Sequence, residues 1–188
     1  MKYTSISPFD NKKHFSLASS DELAKRTFVI SSFGKTYHTT GWKMGYCAAP
    51  EYLTKEFRKM HQFVLFSVNT PIQYAYAEFL KQDARYLSLG KLYENKRDVF
   101  IDSIKNSKFT IKHCYGTYFQ LLDYTAISNK SDMEFSEYLT KKIGVAVIPL
   151  SPFYKDKINR SLIRVCFAKS DEVLQDAGNK LTKLNFIQ

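Results

Sequence analysis

At 188 residues the chain is long enough for one good core or two small ones, and 44% hydrophobic with 15% aromatic content marks it as globular. No apolar run approaches the ~18 residues of a membrane helix, and the opening MKYTSISPFDNKKHF has charge without an apolar core, so neither a membrane span nor a secretory leader is expected. The net charge of +10 comes from 28 basic against 18 acidic residues, but the lysines are scattered and the densest cluster, Asn95-Lys96-Arg97, is short, so no nucleic-acid partner is expected.

Residues 1–20 are polar and turn-rich, with Pro8, Asp10-Asn11 and Ser19-Ser20; His14 reads as a loop residue. Ser20 before Asp21-Glu22-Leu23 predicts a helix N-cap with acids in the first turn, the helix ending near Arg26. Thr27-Phe28-Val29-Ile30 is β-branched and aromatic and predicts a buried strand. The small and hydroxyl-bearing Ser31-Ser32-Phe33-Gly34 predicts a turn, with Lys35 directly after it. Met44 to Ala49 is a second apolar run that stops at Pro50. Pro50-Glu51 opens a helix whose Leu53, Phe57, Met60, Val64 and Leu65 recur at helical spacing and predict a core face; His61 beside it reads as structural. Asn69 or Thr70 caps the next helix, with Pro71 near its start and Ile72, Ala75, Tyr76, Phe79 and Leu80 as its apolar side.

Helical character resumes near Ser88 and runs through Lys105. From Phe109 the periodicity changes: Phe109 and Ile111 alternate, and Gly116 to Asp123 reads as a strand. Asp132 to Gly144 reads as a helix with Gly144 as its C-terminal cap. Val145 to Leu150 is another strand, SPFYKDKINR a polar loop, Leu162 to Ala168 a third strand, and Asp171 to Leu184 a last helix capped by Ser170. Strand, helix, strand, strand, helix makes a compact α+β unit. Arg164 stands inside an apolar strand, where an unpartnered guanidinium is costly, so it needs an anion; Asp123 is one local candidate. The three cysteines, Cys47, Cys114 and Cys166, are far apart in apolar runs and read as small buried hydrophobes. A reduced cytoplasm fits them, and no metal spacing such as C-x-x-C is present.

Ser32-Phe33-Gly34-Lys35, the spacer Thr36 to Thr40, and Gly41-Trp42-Lys43-Met44-Gly45 together resemble the cofactor-lysine motif of the class I/II (fold type I) pyridoxal-phosphate aminotransferases. The family pattern is Ser-x-x-Lys, a five-residue spacer, then Gly-x-(Arg/Lys)-x-Gly. Lysine at position 43 is similar to the methionine, kynurenine and glutamine aminotransferase branch. Each position has a chemical reason. A lysine amine links to the cofactor aldehyde and later moves a proton. A hydroxyl and a cation hold a phosphate by charge-assisted hydrogen bonds, and glycines let the backbone turn and approach closely. Taken alone, a Ser-x-x-Lys reads as a solvated loop lysine; the spaced Gly-x-Lys-x-Gly and the strand before it reverse that reading for Lys35.

The resemblance implies an α/β fold: the carboxyl-terminal part of the pyridoxal-phosphate transferase large domain, residues 1–105 including an interdomain helix, then a small α+β domain, 106–188. It implies pyridoxal 5'-phosphate as cofactor and amino acid and 2-oxo acid substrates. Donors of methionine, aromatic or glutamine type are implied with it. Lys35 becomes the catalytic, cofactor-linked residue. Ser32, Lys43 and Tyr3 become cofactor-binding residues, and Arg164 the residue that binds the substrate carboxylate. It places Asn69 at a dimer interface, a role compatible with capping a helix.

In the family, the phosphate loop, the carboxylate on the pyridine nitrogen and a stacking aromatic precede the lysine. Here 34 residues precede Lys35 and the seven glycines form no phosphate loop. The expectation is therefore a truncated aminotransferase, inactive alone. It associates as a homodimer or with the missing amino-terminal half. The alternatives are a non-catalytic remnant or one half of a split enzyme.

Overall fold

The computed structural model describes residues 9–82 and 88–186; Tyr3 lies outside them. The described residues form two compact units, one within Lys13–Leu89, the other within Pro8–Lys12 and Gly90–Gln188. By contacts the division falls at 89/90, whereas the resemblance implied a division after 105. The long helix therefore groups with the second unit, where Tyr93, Arg97, Phe100 and Ile104 are buried.

The first unit opens with α1 (Asp21–Ala24), whose first turn carries Asp21 and Glu22. Ser20 takes the N-cap position, but its side chain makes no capping bond. Strand β1 (Val29–Ser32) pairs antiparallel with β2 (Gly45–Ala48), in the register Val29↔Ala48 to Ser32↔Gly45. The expected turn at Ser31-Ser32 is thus strand, and the turn begins only at α2 (Phe33–Thr36). The strand outlasts its apolar run because pairing with β2 satisfies the backbone whatever the side chain.

α3 (Glu51–Val64) and α4 (Thr70–Phe79) follow. Asn69 caps α4 by accepting from the Ile72 N–H at 3.2 Å, and Pro71 lies in the first turn. The core of this unit is aromatic. Tyr76 is 4% exposed, and its ring centroid lies 4.5 Å from that of Phe33 and 5.3 Å from that of Trp42.

The expected core face of α3 is uncovered over its second half. No residue of α3 is buried, and Met60, Phe63 and Val64 are 70%, 85% and 79% exposed. Helical spacing identifies an apolar face; whether something packs on it is a separate matter. Leu53 is half-buried and the Phe28 ring lies 6.3 Å from that of Phe57, but Met60, Phe63 and Val64 stand open.

The second unit contains α5 (Leu89–Ile104), β3 (Thr110–Lys112), β4 (Phe119–Asp123), α6 (Asp132–Tyr138), β5 (Ile148–Pro149), β6 (Leu162–Cys166) and α7 (Asp171–Thr182). Its sheet is antiparallel throughout, in the order β3-β4-β6-β5. One sheet face supplies the core through Leu122, Ile163 and Val165, packed with Phe100, Phe135, Leu139, Phe167, Leu174 and Leu181, all buried. The other face, with Phe119, Leu121, Leu162, Arg164 and Cys166, is half-buried.

α6 starts with a capping box between Ser131 and Glu134. It continues as a π-helical turn, Leu139–Ile143, which Gly144 ends in the left-handed region at φ 78° as expected. The expected strand Val145–Leu150 shortens to Ile148–Pro149. It stops there because the next two N–H groups, of Leu150 and Ser151, donate to the buried carboxylate of Asp132 at 2.8 and 2.6 Å.

The segment Phe9–Lys12 is clasped to this unit. Arg97, 3% exposed, grips Asp10 with both terminal nitrogens at 2.8 Å. Phe9 is buried beneath the guanidinium, 4.8 Å from ring centroid to charge centre. Hydrogen bonds from Arg97, and then from His113, hold the Asp10 carboxyl well below the usual carboxylate range. The cysteines are half-buried free thiols instead of fully buried hydrophobes. Among the described residues, no helix is long and apolar enough to cross a membrane.

Candidate active site

Ser32, Lys35 and Lys43 line one cavity of about 630 Å³ together with Ile30, Ser31, Gly34, Thr40, Met44 and Gly45. Local chemistry builds it. Ser32 is both the last residue of β1 and the N-cap of α2, and its hydroxyl accepts from the Gly34 N–H at 3.2 Å. That leaves the hydroxyl proton to be donated to a ligand. Lys35 is one turn on, exposed, with the buried Gly34 beside it. The turn is closed by Thr39 N–H and Thr40 Oγ1, which both donate to the Gly34 carbonyl, at 2.9 and 3.3 Å.

Lys43 has a left-handed backbone, φ 51°. For a residue with a side chain that conformation costs about 1 kcal/mol and persists only where the surroundings impose it. The two motif glycines differ. A Cβ on Gly45 would lie 2.4 Å from the Ser31 carbonyl oxygen, so the strand pair excludes any side chain there, whereas Gly41 has open space around it.

Among the described residues the cavity wall carries two lysines, three hydroxyls and no carboxylate. Among the described residues neither Lys35 nor Lys43 has a carboxylate within salt-bridge reach. An uncompensated pair of cations beside hydroxyl donors suits an anion. A phosphate with an aldehyde fits: Ser32 and Lys43 for the phosphate, Lys35 for the aldehyde. Thr40 and the exposed Ile30 join the wall without having been singled out from the sequence. The signal for Thr40 was its place within the motif spacer.

Arg164 belongs to the second unit. It lies on the half-buried sheet face, opposite Leu121 of β4 and Ile148 of β5. The local pairing with Asp123 does not form. Asp123 is taken by Lys112 at 3.5 Å and by the Thr125 N–H and hydroxyl at 3.0 and 2.6 Å. Burial alone pushes Asp123 up, but the Thr125 hydrogen bonds and the Lys112 charge outweigh it and leave the carboxyl below its ordinary value. Among the described residues the buried Arg164 Nε has no hydrogen-bond partner, and the guanidinium lies over the Phe119 ring at 4.1 Å. Among the described residues of its unit no carboxylate pairs with it. Asn69 is exposed at the head of α4, with its side chain engaged in the cap. Among the described residues no group of three or more His, Cys, Asp or Glu stands ready for a metal.

Comparison with known proteins follows the same lines. The profile of the family Aminotransferase class I and II matches residues 4–181. Methionine aminotransferase of Escherichia coli is 46% identical over 177 residues, which are 94% of this chain and 46% of that protein. Kynurenine–oxoglutarate transaminase of Dictyostelium discoideum is 34% identical over 198 residues, again 94% of this chain and 46% of the relative. Among solved structures, an Escherichia coli protein with a methionine aminotransferase function superimposes with a TM-score of 0.90 at 45% identity, covering 95% of this chain and 48% of the other. N-succinyldiaminopimelate aminotransferase of Mycobacterium tuberculosis gives 0.85 at 32% identity, covering 94% and 47%. The chain spans about half the length of the curated relatives it matches.

Proposed function

This chain belongs to the class I and II aminotransferases, a family that works with pyridoxal phosphate, and on that premise we propose that it is the lysine-bearing half of an enzyme moving an amino group from an amino acid to a 2-oxo acid. The observation behind this reading is the convergence of Ser32, Lys35 and Lys43 on one anion-suited cavity. When bound, pyridoxal phosphate supplies an electron sink for the bond broken at the substrate α-carbon. The chain's own residues do the rest. Ser32 donates its hydroxyl proton, and Lys43 its charge, to the phosphate. Lys35 holds the cofactor through its amine and, once released, carries the proton to and from the α-carbon at Nζ. Arg164 binds the substrate carboxylate, where a planar guanidinium offers two parallel N–H bonds. Tyr3 is assigned to the cofactor ring oxygen on resemblance alone. Methionine-, aromatic- and glutamine-type donors are the substrate classes, and the cytoplasm the compartment.

Borohydride reduction of the chain mixed with pyridoxal phosphate tests the assignment. Peptide mapping is expected to place the trapped label on Lys35, and Lys35→Ala to remove most of it. A label spread evenly over the surface lysines would count against the reading.

The bare face of α3 supports a second element of the proposal. An apolar surface that includes Met60, Phe63, Val64 and Phe66 is unfavourable in water and favours association. The chain therefore works against another polypeptide surface. That surface is a second copy meeting it near Asn69, or the polypeptide corresponding to the relatives' remaining length. Light scattering of the purified chain is expected to show dimers or larger species, and Phe63→Glu with Val64→Lys to reduce them. A monodisperse monomer at micromolar concentration would refute this. A non-catalytic remnant is the competing reading, and it predicts association without any preference of the label for Lys35.

A further inference from the structure

Phe153 is 66% exposed, so burial does not determine where its ring lies. The turn beneath it does. Asp132, 1% exposed, accepts hydrogen bonds from Leu150 N–H, Ser151 N–H and the Ser151 hydroxyl at 2.8, 2.6 and 2.7 Å. This fixes the 3-10 turn Ser151–Phe153, closed by Phe153 N–H donating to the Leu150 carbonyl at 3.0 Å. From that turn the Phe153 ring reaches the Arg164 guanidinium, 5.3 Å from centroid to charge centre, while Phe119 of β4 lies at 4.1 Å.

Two rings therefore contact one guanidinium that has no carboxylate partner among the described residues and whose Nε makes no hydrogen bond. Hydrogen bonding does not orient this side chain; the rings do. A guanidinium that stacks on π-faces keeps its edge N–H groups free to be offered to an anion.

We propose that Phe153 is a positioning residue: held by the Asp132 anchor, it confines the Arg164 guanidinium so that its N–H edge meets a substrate carboxylate. The proposal rests on the reading of Arg164 as the carboxylate-binding residue and deepens it. It gives a purpose to an exposed aromatic in a loop that composition marks only as polar.

The test uses the 188-residue chain, nitrogen-15 side-chain spectra of arginine, and 3-phenylpropanoate as probe carboxylate. The Arg164 Nε resonance, identified by its loss in Arg164→Lys, is expected to carry a ring-current shift and to move on titration. Phe153→Leu keeps apolar bulk without a ring. It is expected to abolish much of that shift and to raise the Kd by about three- to fivefold, the size of a surface cation–π contact. Phe153→Tyr is expected to restore both, and melting of all three proteins to stay the same, since the ring is exposed. If Phe153→Leu titrates like the unaltered chain, the positioning role is wrong and the reading of Arg164 stands. If Arg164→Gln binds the probe as tightly as the unaltered chain does, the reading of Arg164 fails and the proposal with it.

Discussion

Purified on its own and saturated with pyridoxal phosphate, the chain is expected to transfer no amino group from methionine to a 2-oxo acid above background. Among the described residues, the cavity that holds Ser32, Lys35 and Lys43 is lined by cations, hydroxyls, two apolar side chains and backbone, without a carboxylate or an aromatic ring. Nothing in that wall can keep the cofactor ring nitrogen protonated. The electron pair released at the α-carbon then loses most of its stabilisation. A deficit of about 4 kcal/mol or more in the transition state corresponds to roughly a thousandfold or greater loss of rate. Covalent trapping at Lys35 needs only the amine and the phosphate contacts, so labelling and turnover are expected to part company. Adding a polypeptide that corresponds to the relatives' remaining length is expected to restore turnover. A coupled assay decides the matter: full turnover by the purified chain, with no other polypeptide present, would overturn it.

The largest single loss of stability is expected at Asp132. Its buried carboxylate is the acceptor for two backbone N–H groups and one hydroxyl that end β5 and start the following turn. Asp132→Ala would leave those donors buried without partners. Each orphan costs about 1–3 kcal/mol, so the change is expected to remove about 3–4 kcal/mol, part of the loss being recovered where water reaches the gap. For a chain of this length that is a fall in Tm of about 10 °C. Asp132→Asn keeps one acceptor oxygen but turns an NH₂ toward the donors, and is expected to cost about half as much. Urea unfolding followed by circular dichroism measures both. A change within about 0.5 kcal/mol for Asp132→Ala would show that the turn is held by something else. The anchor also connects stability with function, because the turn it holds carries Phe153 toward Arg164.

Which parts of this molecule could be read from the order of residues follows a physical division. Asn69 before Pro71 marked the start of α4 because a cap needs only its own next few residues. Gly144 marked the end of the α6 segment for the same reason: a left-handed residue is set by local sterics. The Ser32, Lys35 and Lys43 cluster was legible because a strand, a tight turn and a returning strand bring residues so close in sequence onto one cavity wall. Other features depend on groups far apart in the chain. The strand β1 runs into Ser31-Ser32 because β2 pairs with it, and β5 is short because Asp132 takes the next donors. Arg97 holds Asp10 across 87 residues, and Arg164 finds rings from β4 and from a loop in place of the nearby Asp123. Such contacts depend on sheet order and register, which periodicity does not encode. The apolar stripe on α3 shows the limit most clearly. Spacing determines that Met60 and Val64 share a face, because a helix turns by a fixed angle per residue. Whether that face is covered depends on which other surface is present to bury it, and among the described residues the tertiary structure leaves Met60 and Val64 open.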